Sequence, residues 1–321
     1  MKSKKSPGKK QEMASIIIAS ANRKEFILDC LKSIKENTKY ANLEVLVFDE
    51  ASIDGSVKAI RQKFPWVKLF ENGRVIGHQN INNLGFEKAK GNYIMLLNND
   101  TIVVKGWLEN AVKELQSNEK IASVGCELIS EGQFKNNSFV EKPAVEKMSV
   151  CSGAMLLRKS AVEKIGNWDS KNFHPIYGGE TDWCYRARHF GYRHLQLRNS
   201  FVVHRHNPKK KKNKHERMEL LYTHGLRAMF FNLSTTEFLK MLPGLGMVFA
   251  KSIRKGTAPD FLKCWWNNLL DVKRILRERK KRLARQKILG MDLKRIDEEL
   301  SEYKDIKAAR IRDGSDMDQI V

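Results

Sequence analysis

The sequence predicts an α/β fold, in which a mostly parallel sheet is flanked by helices and followed by a basic helical extension. Between Met13 and about Ile102, short β-branched runs alternate with longer amphipathic stretches. Residues 14–19 have the composition of a buried strand, and the apolar residues of 25–37 recur at the spacing of a helix face. Strands buried on both faces and joined by helices are typical of a doubly wound sheet.

The remaining elements continue this alternation. The further predicted strands are 43–48, 67–70, 93–97, 121–127, 150–158 and one that ends at His204. The further predicted helices are 55–64, 80–89, 107–116 and a short one from Thr181, whereas 130–147 is predicted to be irregular. Ligands bind beyond the carboxyl ends of the strands in such sheets, so we expect functional residues in the loops that follow the strands.

The net charge of +22 is concentrated at the two ends of the chain. Residues 1–12 carry five Lys and one Glu, and residues 205–321 carry 28 Lys or Arg against 15 Asp or Glu. We therefore predict a basic disordered tail (1–12), an α/β domain (13–206) and a basic, amphipathic helical region (207–321). Strongly basic segments attract polyanions, either nucleic acid or the anionic face of a membrane.

The five cysteines are scattered and include no C-x-x-C pair. This pattern argues against a disulfide framework or a zinc site and favours a reducing compartment, so we expect a cytoplasmic protein. The basic N-terminus lacks the apolar stretch of a signal peptide. No run of 18 apolar residues occurs either, so no membrane-spanning helix is expected.

Polar side chains follow the first two predicted strands. Ser20, Asn22 and Arg23 come after the first strand, and Asp49 and Ser52 come after the second. Ordinary turns and helix caps would explain each group separately. On adjacent strands, the two groups together predict the floor of a nucleotide site, where Asp49 would accept a hydrogen bond from a base or ribose.

The fourth strand ends in Asn98, Asn99 and Asp100. A carboxylate at the mouth of an apolar strand is costly to bury unless it is paired or bound to a metal. Its oxygens suit Mg²⁺ or Mn²⁺ bridging a diphosphate, although a carboxylate that caps the next helix is the simpler alternative. His204, at the end of the last strand, is either structural or completes a metal site begun by Asp100.

Two carboxylates, Glu180 and Asp182, lie at the start of the last helix of the α/β domain, after Gly178 and Gly179. The helix dipole favours acidic residues there whatever their role. In the functional interpretation, one of them is a general base that takes the proton from an acceptor hydroxyl. The glycines would then let acceptor and backbone approach each other closely.

The order of these segments resembles that of family 2 glycosyltransferases of the Rossmann-like GT-A fold, particularly the rhamnosyltransferase-like bacterial enzymes that build surface polysaccharides. The resemblance covers residues 13–206. Its landmarks are SIIIASANR (15–23), VFDEASIDGS (47–56), NINNLGFEKAKG (80–91), YIMLLNNDTIVVKG (93–106), VCSGAMLLR (150–158), IGNWDSKNF (165–173) and the stretch from Gly179 to His204.

The resemblance implies an inverting, single-displacement transfer of a sugar from a nucleotide-diphosphate-sugar donor to an acceptor hydroxyl. It implies a divalent metal, Mg²⁺ or Mn²⁺, on Asp100 and His204, and a nucleobase contact from Asp49. The predicted nucleotide-binding residues are Ser20, Asn22, Arg23, Asp49, Ser52, Gly77, Asn83 and Asn99. The predicted acceptor is a lipid-linked or surface glycan.

Two positions depart from the family pattern. The first acidic position of the D-x-D motif is Asn98, so fewer protein oxygens are available to a metal. Glu180 stands where the family base is normally Asp. We favour Glu180 as the base and keep Asp182 as the alternative.

The basic helical region carries amphipathic faces over 236–252 and 261–276, although Pro243 and nearby glycines would kink or break the first. Apolar faces that contain Trp and adjoin Lys/Arg clusters are typical of helices in a membrane interface. We therefore predict a peripheral protein on the inner face of the cell membrane. The alternative is that these faces pack against the α/β domain or join copies of the chain. Residues 291–312 are predicted to form a solvated helix or coiled-coil arm.

Other functions fit parts of the sequence. The pI near 9.8 suits a nucleic-acid-binding protein, but the charge lies outside the central domain and no nucleic-acid motif occurs, so no such partner is expected. A nucleotidyltransferase would need a glycine-rich triphosphate loop, which SANRKEF lacks. NAD-dependent chemistry is disfavoured because G-x-G-x-x-G is missing after the first strand. A catalytically silent nucleotide-sugar binder stays an alternative because of Asn98 and Glu180.

Overall fold

The computed structural model describes residues 11–135, 141–205 and 214–288. The strands are β1 (Ala14–Ser20), β2 (Leu43–Asp49), β3 (Lys68–Glu71), β4 (Tyr93–Asn98), β5 (Thr101–Val103), β6 (Ile121–Ile129), β7 (Lys142–Lys147), β8 (Ala154–Arg158) and β9 (Arg193–His204). The helices are α1 (Lys24–Asn37), α2 (Ser56–Lys63), α3 (His78–Lys88), α4 (Trp107–Gln116), α5 (Glu131–Lys135), α6 (Lys159–Ile165), α7 (Gly179–His189), α8 (Lys214–Asn232), α9 (Thr235–Arg254), α10 (Ala258–Leu270) and α11 (Val272–Ile288).

These strands form one mixed sheet in the order β3-β2-β1-β4-β8-β6-β9-β5, and β7 also pairs with β9. The first four strands of this order are parallel, which confirms the predicted doubly wound half. Beyond β4 the sheet changes character, because β8 runs antiparallel to both β4 and β6, and β5 runs antiparallel to β9. The α/β fold with C-terminal helices is therefore confirmed.

Two clusters of apolar side chains cover the two faces of the sheet. One contains residues of α1 and α4, including Leu31 and Trp107, and the other contains residues of α3, α6 and α7, including Trp183. A third, smaller cluster joins α7 to α8, where Phe173 and Phe231 pack edge to face with ring centroids 5.9 Å apart. The C-terminal helices thus share apolar contacts with the α/β domain.

The structure corrects two local predictions. The segment 130–147 is not irregular throughout, since Glu131–Lys135 form α5 and Lys142–Lys147 form β7, which pairs with β9. The predicted break at Pro243 does not occur, because α9 continues from Thr235 to Arg254. Proline removes the hydrogen bond to the carbonyl of Leu239, a residue that is 57% exposed, so water can solvate that carbonyl.

Two predicted segments lie partly or wholly outside the described residues. The basic tail 1–12 is described only at residues 11 and 12, and the predicted arm 291–312 lies entirely outside. In the described parts of the chain, no helix combines the length and the apolar character needed to cross a membrane.

A buried carboxylate ties three strands together at the end of the sheet where the parallel strands begin. Glu44 accepts hydrogen bonds from the Ser15 hydroxyl at 2.6 Å, the Lys90 amide at 2.7 Å and the Lys68 ammonium at 2.5 Å. Burial alone would raise the pKa of Glu44, but these three donors lower it below its ordinary value. The charged form is therefore the one that stabilises the fold.

We predict that Glu44→Gln lowers the free energy of unfolding by about 1–3 kcal/mol at pH 7, because buried donors lose a charged acceptor. Because the pKa of Glu44 is lower in the folded protein, its carboxylate contributes to the free energy of unfolding. This contribution is complete above the ordinary carboxyl pKa and is lost as the pH falls through the folded-state pKa. Urea unfolding at pH 7 and pH 3 should therefore show a smaller difference between the two proteins at pH 3. An equal difference at both pH values would contradict this account.

Candidate active site

The carboxyl ends of β1, β2 and β4 bring the predicted nucleotide residues to one edge of the sheet. In the strand register, Ser20 lies beside Asp49 on one side, and Ala19 lies beside Asn98 on the other. Asp100 follows two residues after the end of β4. The parallel pairing therefore sets the first-strand loop, Asp49 and the Asn98–Asp100 turn next to one another.

Side-chain hydrogen bonds connect the loops after β1 and β2. The Asn22 amide donates to the Ser52 hydroxyl at 2.7 Å, and the Ile53 amide donates to Asn22 Oδ1 at 3.0 Å. The Ser52 amide donates to Asp49 Oδ2 at 2.9 Å. These bonds give Asn22 and Ser52 a defined role in shaping the floor of the site.

Two buried polar atoms of this floor have no hydrogen-bond partner among the described residues. They are Asp49 Oδ1 and the Ser20 hydroxyl, on residues that are 2% and 1% exposed. A buried polar atom left unpaired costs about 1–3 kcal/mol. A ligand that donates to Asp49 would therefore recover energy that the protein alone does not, which is the arrangement expected of a binding site.

The backbone is strained in the same loops. Asn22, Arg23, Ala51 and Tyr177 all have positive φ values, between 54° and 67°. Non-glycine residues seldom adopt this conformation, and such residues concentrate at ligand sites. All four lie in loops near the carboxyl ends of the strands or just before α7.

Asp100 and His204 meet because β5 pairs with β9. Thr101 lies opposite His204 in the register, and the Arg205 amide donates to the Asp100 carbonyl at 2.9 Å. His204 Nε2 lies 3.2 Å from Asp100 Oδ1, and the Arg23 guanidinium lies 3.6 Å from Oδ2. The Asp100 side chain is only 3% exposed, so these two groups offset the cost of burying its charge.

The geometry of Asp100 and His204 fits two positions on one divalent ion. Their nitrogen and oxygen atoms are 3.2 Å apart, near enough that both would be able to contact one bound ion. The described residues contain no group of three or more His, Cys, Asp or Glu side chains suited to a metal. The remaining ligands would therefore have to come from water and a substrate diphosphate.

Glu50 is a site residue that the sequence analysis did not single out. Its Oε1 accepts hydrogen bonds from the amides of Ile76 and Gly77, both at 2.7 Å, and its own amide donates to the Ser20 carbonyl at 2.8 Å. Glu50 thereby holds the loop before α3 against β1. A second acidic residue directly after Asp49 was the signal that could have revealed it.

The other predicted nucleotide residues have mixed surroundings. Gly77 packs so closely on His174 that an added Cβ would lie 3.0 Å from the imidazole. Both polar atoms of the Asn83 side chain bond the backbone of Trp168, each at 2.9 Å. Asn99 lies in the turn between β4 and β5 and is half-buried. Asn83 is therefore engaged in holding the Trp168 segment to α3.

Glu180 lies in the first turn of α7, after Gly178, and is partly buried. Desolvation raises the pKa of Glu180 above its ordinary value, despite backbone hydrogen bonds that lower it. Desolvation raises the pKa of the Cys151 thiol, and the charge of Glu180 raises it further. The Asn98 amide donates to the Gly153 carbonyl at 2.9 Å, so the Cys151–Gly153 turn is held at the end of β4.

Asp182 has a different environment from Glu180. It is fully buried and binds Asn232 at 2.8 Å, Arg186 at 2.9 Å and the Arg282 guanidinium. Burial alone would raise the pKa of Asp182, but Arg282 and Arg186 hold it below its ordinary value. With these partners in place, Asp182 holds helices together, and the role of base stays predicted for Glu180.

Comparisons with known proteins relate one part of this chain to a family. Residues 15–166 match the model for Glycosyl transferase family 2. That stretch is therefore similar to the family 2 glycosyltransferases. A match of 25% identity over 117 residues relates it to the glycosyltransferase GlyG of Streptococcus pneumoniae, covering 36% of this chain and 38% of that one. The O-antigen biosynthesis protein RfbC of Myxococcus xanthus is 23% identical over 219 residues, which is 59% of this chain and 17% of that protein.

Solved structures share the fold of the α/β domain. The mannosyltransferase PcManGT of Pyrobaculum calidifontis, solved with GDP-Man and Mn²⁺, has a TM-score of 0.54 at 17% identity and covers 86% of each chain. GalNAc-T7, solved with UDP, GalNAc and Mn²⁺, has a TM-score of 0.56 at 14% identity, covering 69% of this chain and 48% of that one. These likenesses confirm the GT-A fold. The matched stretch covers less than half the length of the curated relatives.

Part of the candidate site lies beyond the segment that the family model matches. The match ends at residue 166, so it contains Asp49 and Asp100 but neither Glu180 nor His204. His204 is delivered by β9, and Glu180 by α7. The last part of the sheet and the helix before it therefore complete what the first four strands begin.

Side chains from the C-terminal helices hold the segment that carries Glu180. His224 bonds the Ile176 carbonyl at 2.8 Å, and Arg227 donates to the Asn172 carbonyl at 3.2 Å. Arg282 of α11 contacts Asp169 as well as Asp182. The space beside Gly179 is filled by Gln79, whose Oε1 would lie 2.3 Å from an added Cβ, so that glycine serves close packing within the protein.

We predict that Arg282→Gln destabilises the protein by about 3–5 kcal/mol, because it leaves Asp182 buried with its charge only partly compensated. The double variant Arg282→Gln, Asp182→Asn should recover part of this loss, since it removes the buried charge as well. Arg277→Gln, an exposed position on the same helix, is the matched control and should lie near zero. Urea unfolding measures the free energy of unfolding of the wild type and the three variants. Equal losses for Arg277→Gln and Arg282→Gln would contradict a stabilising ion pair between Arg282 and Asp182.

Proposed function

We propose that this chain is an inverting glycosyltransferase that moves a sugar from a nucleotide-diphosphate-sugar donor to an acceptor hydroxyl. The observation that carries the proposal is the approach of His204 to Asp100, 3.2 Å apart, at the same edge of the sheet as the unpaired Asp49 Oδ1. Metal ligands, a nucleotide contact and a carboxylate base are the parts that such a reaction needs. The family match supports the reaction class.

Donor binding divides between two groups of residues. Asp49 would accept a hydrogen bond from the base or ribose, while Ser20, Asn22 and Ser52 shape the floor beneath it. Asp100 and His204 would hold a divalent ion, Mg²⁺ or Mn²⁺, which offsets the charge on the leaving diphosphate. Arg23, now 3.6 Å from Asp100, would also lie within reach of a donor phosphate.

Glu180 is the proposed general base. A single displacement needs one group that takes the proton from the acceptor hydroxyl as it attacks the sugar. Desolvation raises the pKa of Glu180, which makes its carboxylate a stronger base than an exposed one. Asp182 does not fit this role while three side chains bind it.

The proposed acceptor is a lipid-linked or surface glycan, and the enzyme would work in the cytoplasm as a peripheral protein on the inner face of the cell membrane. Support for this part comes from the basic, Trp-containing helices that follow the α/β domain. RfbC, one of the relatives, is named for O-antigen biosynthesis. Nucleic acid is not an expected partner, and contact between copies through the C-terminal helices is the alternative use of those faces.

Two substitutions separate binding from transfer. We expect Asp100→Ala to abolish Mn²⁺-dependent donor binding, because the ion loses its carboxylate ligand. Glu180→Gln should leave donor binding within about twofold of the wild type and reduce transfer by at least 100-fold, a typical contribution of a general base. Calorimetry with UDP-, dTDP- and GDP-sugars, with and without Mn²⁺, measures the first effect, and product formation measures the second.

Glu163→Gln, an exposed carboxylate of α6, is the control for both assays and should behave as the wild type. If Glu180→Gln transfers sugar normally while a folded Asp182→Asn does not, the base has been assigned to the wrong residue. Donor binding without turnover in the wild type, with every acceptor class, would instead favour a silent nucleotide-sugar binder.

The base assignment also predicts a pH dependence. Since a base must be ionised to accept a proton, kcat/KM should rise as the pH passes upward through the pKa of Glu180. Because desolvation raises that pKa, the acid limb should lie at higher pH than an ordinary glutamate would give. A pH–rate profile measures this, and an acid limb that survives unchanged in the residual activity of Glu180→Gln would contradict the assignment.

A further inference from the structure

The outward faces of α9 and α10 carry many exposed apolar side chains. The strongly exposed side chains of α9 include Leu239, Leu242, Met247 and Ile253, each between 41% and 57% exposed. On α10 they include Leu262, Trp266, Leu269 and Leu270, each between 58% and 69% exposed. The α9 residues are three, five and six positions apart and those of α10 are four, three and one apart, so each set forms an apolar stripe on one side of its helix.

The inward faces of the same helices are packed, so the stripes are not the result of loose helices. Phe249 of α9 contacts Phe261 of α10 with ring centroids 5.3 Å apart. Phe230 of α8 stacks on Phe238 at 4.7 Å and meets Trp265 edge to face at 6.2 Å. The apolar residues that point inward therefore build a small core, and those that point outward form a second, solvent-facing set. Soluble monomers rarely expose so many large apolar side chains together.

The charge around these stripes is strongly positive. Residues 235–288 contain 14 Lys or Arg and four Asp or Glu. Exposed basic residues lie on or next to these helices: Lys240, Arg254 and Lys255, the ion-paired Lys263, which bonds Glu219 at 2.7 Å, and Lys273 and Arg277 at the start of α11. Neither helix has the length and apolar character of a membrane span. An apolar stripe between basic residues on a short helix is the pattern of a helix that lies in the membrane interface.

We propose that the outward faces of α9 and α10 form a lipid-docking surface, which seats the protein on an anionic bilayer. The Leu, Ile and Trp side chains enter the boundary between headgroups and acyl chains, and the adjoining Lys and Arg side chains contact the anionic headgroups. This proposal deepens the function proposed above, on which it rests, by identifying the surface that meets the membrane.

Charge favours lipid over a second copy of the chain. In a twofold contact, each surface would meet an identical one, so the basic residues around both stripes would face each other. Like charges placed together at an interface oppose association. An anionic bilayer supplies the opposite charge and an apolar layer at once.

The helix that carries part of the docking surface is bonded to the segment before α7. Asn268, on the buried side of α10, donates to the Thr223 carbonyl of α8 at 3.2 Å, and Arg227 donates to Asn268 Oδ1 at 3.2 Å. Arg227 also donates to the Asn172 carbonyl in the segment before α7. These bonds hold α10 against the α/β domain, so a membrane bound to α10 would lie at a fixed position relative to that domain.

Vesicle flotation of the full-length protein tests the proposal. We expect the protein to bind vesicles of phosphatidylcholine that contain about 30 mol% phosphatidylglycerol, which imitates an anionic membrane leaflet. Binding to pure phosphatidylcholine should be at least tenfold weaker. The triple variant Leu262→Gln, Trp266→Gln, Leu269→Gln should lose at least tenfold in affinity for the anionic vesicles. All three side chains are more than half exposed, so the fold should survive.

Trp66→Gln is the matched control, because Trp66 is 40% exposed on the α/β domain and should leave flotation unchanged. Glu180→Gln should float like the wild type, so failure of catalysis and failure of docking can be told apart. A triple variant that floats like the wild type would overturn the proposal. So would a wild type that ignores anionic vesicles and forms a dimer that the triple variant dissociates, which would make this surface a contact between copies.

Discussion

The burial of the Asp100 carboxylate is the constraint on which the rest of the site depends. A charge at the end of a strand, 3% exposed at its side chain, must be compensated by groups brought from elsewhere in the chain. Arg23 comes from the loop after β1, and His204 comes from the end of β9. To place them there, the chain must pair β1 with β4 in parallel and β5 with β9 in antiparallel fashion. These two strand pairings therefore bring the compensating groups to the Asp100 carboxylate.

The carboxyl end of β9 stays at this edge of the sheet although β8 reverses direction. β8 runs antiparallel to both β4 and β6, and β6 runs parallel to β9, so β9 has the same direction as β4. This mixed half carries the His204 end of β9 to the turn after β4. The family match stops at residue 166, so the part of the chain that delivers His204 and Glu180 lies where the match no longer applies.

Much of the parallel half could be predicted from the sequence, because strands buried on both faces leave continuous apolar runs and their ends are marked by polar residues. Asp49 and Asp100 were identifiable for this reason. The role of Asp182 was not, since its partner Arg282 lies in a cluster of basic residues whose composition gives no sign of which one turns inward. Strand β5 was also missed, because three residues carry too little pattern and the pairing depends on β9.

The high net charge has at least two structural uses. Arg227 and Arg282 point inward and bond the segment that carries Glu180. Other basic residues stay exposed beside the apolar stripes of α9 and α10. Total charge therefore says little about the partner until the inward-facing cations are separated from the outward-facing ones. In this chain the first group bonds Asp182 and the segment before α7, and the second group supplies the positive charge on which the proposed lipid docking depends.

The most direct test of whether Asp49, Asp100 and His204 form one donor site is a crystal structure of the protein grown with a nucleoside diphosphate and Mn²⁺. Anomalous scattering would locate the ion. We predict one manganese bound to Asp100 and His204, with the diphosphate beside it and the nucleoside donating to Asp49 Oδ1. Manganese bound elsewhere, or a nucleotide that avoids Asp49, would show that these residues meet for structural reasons alone.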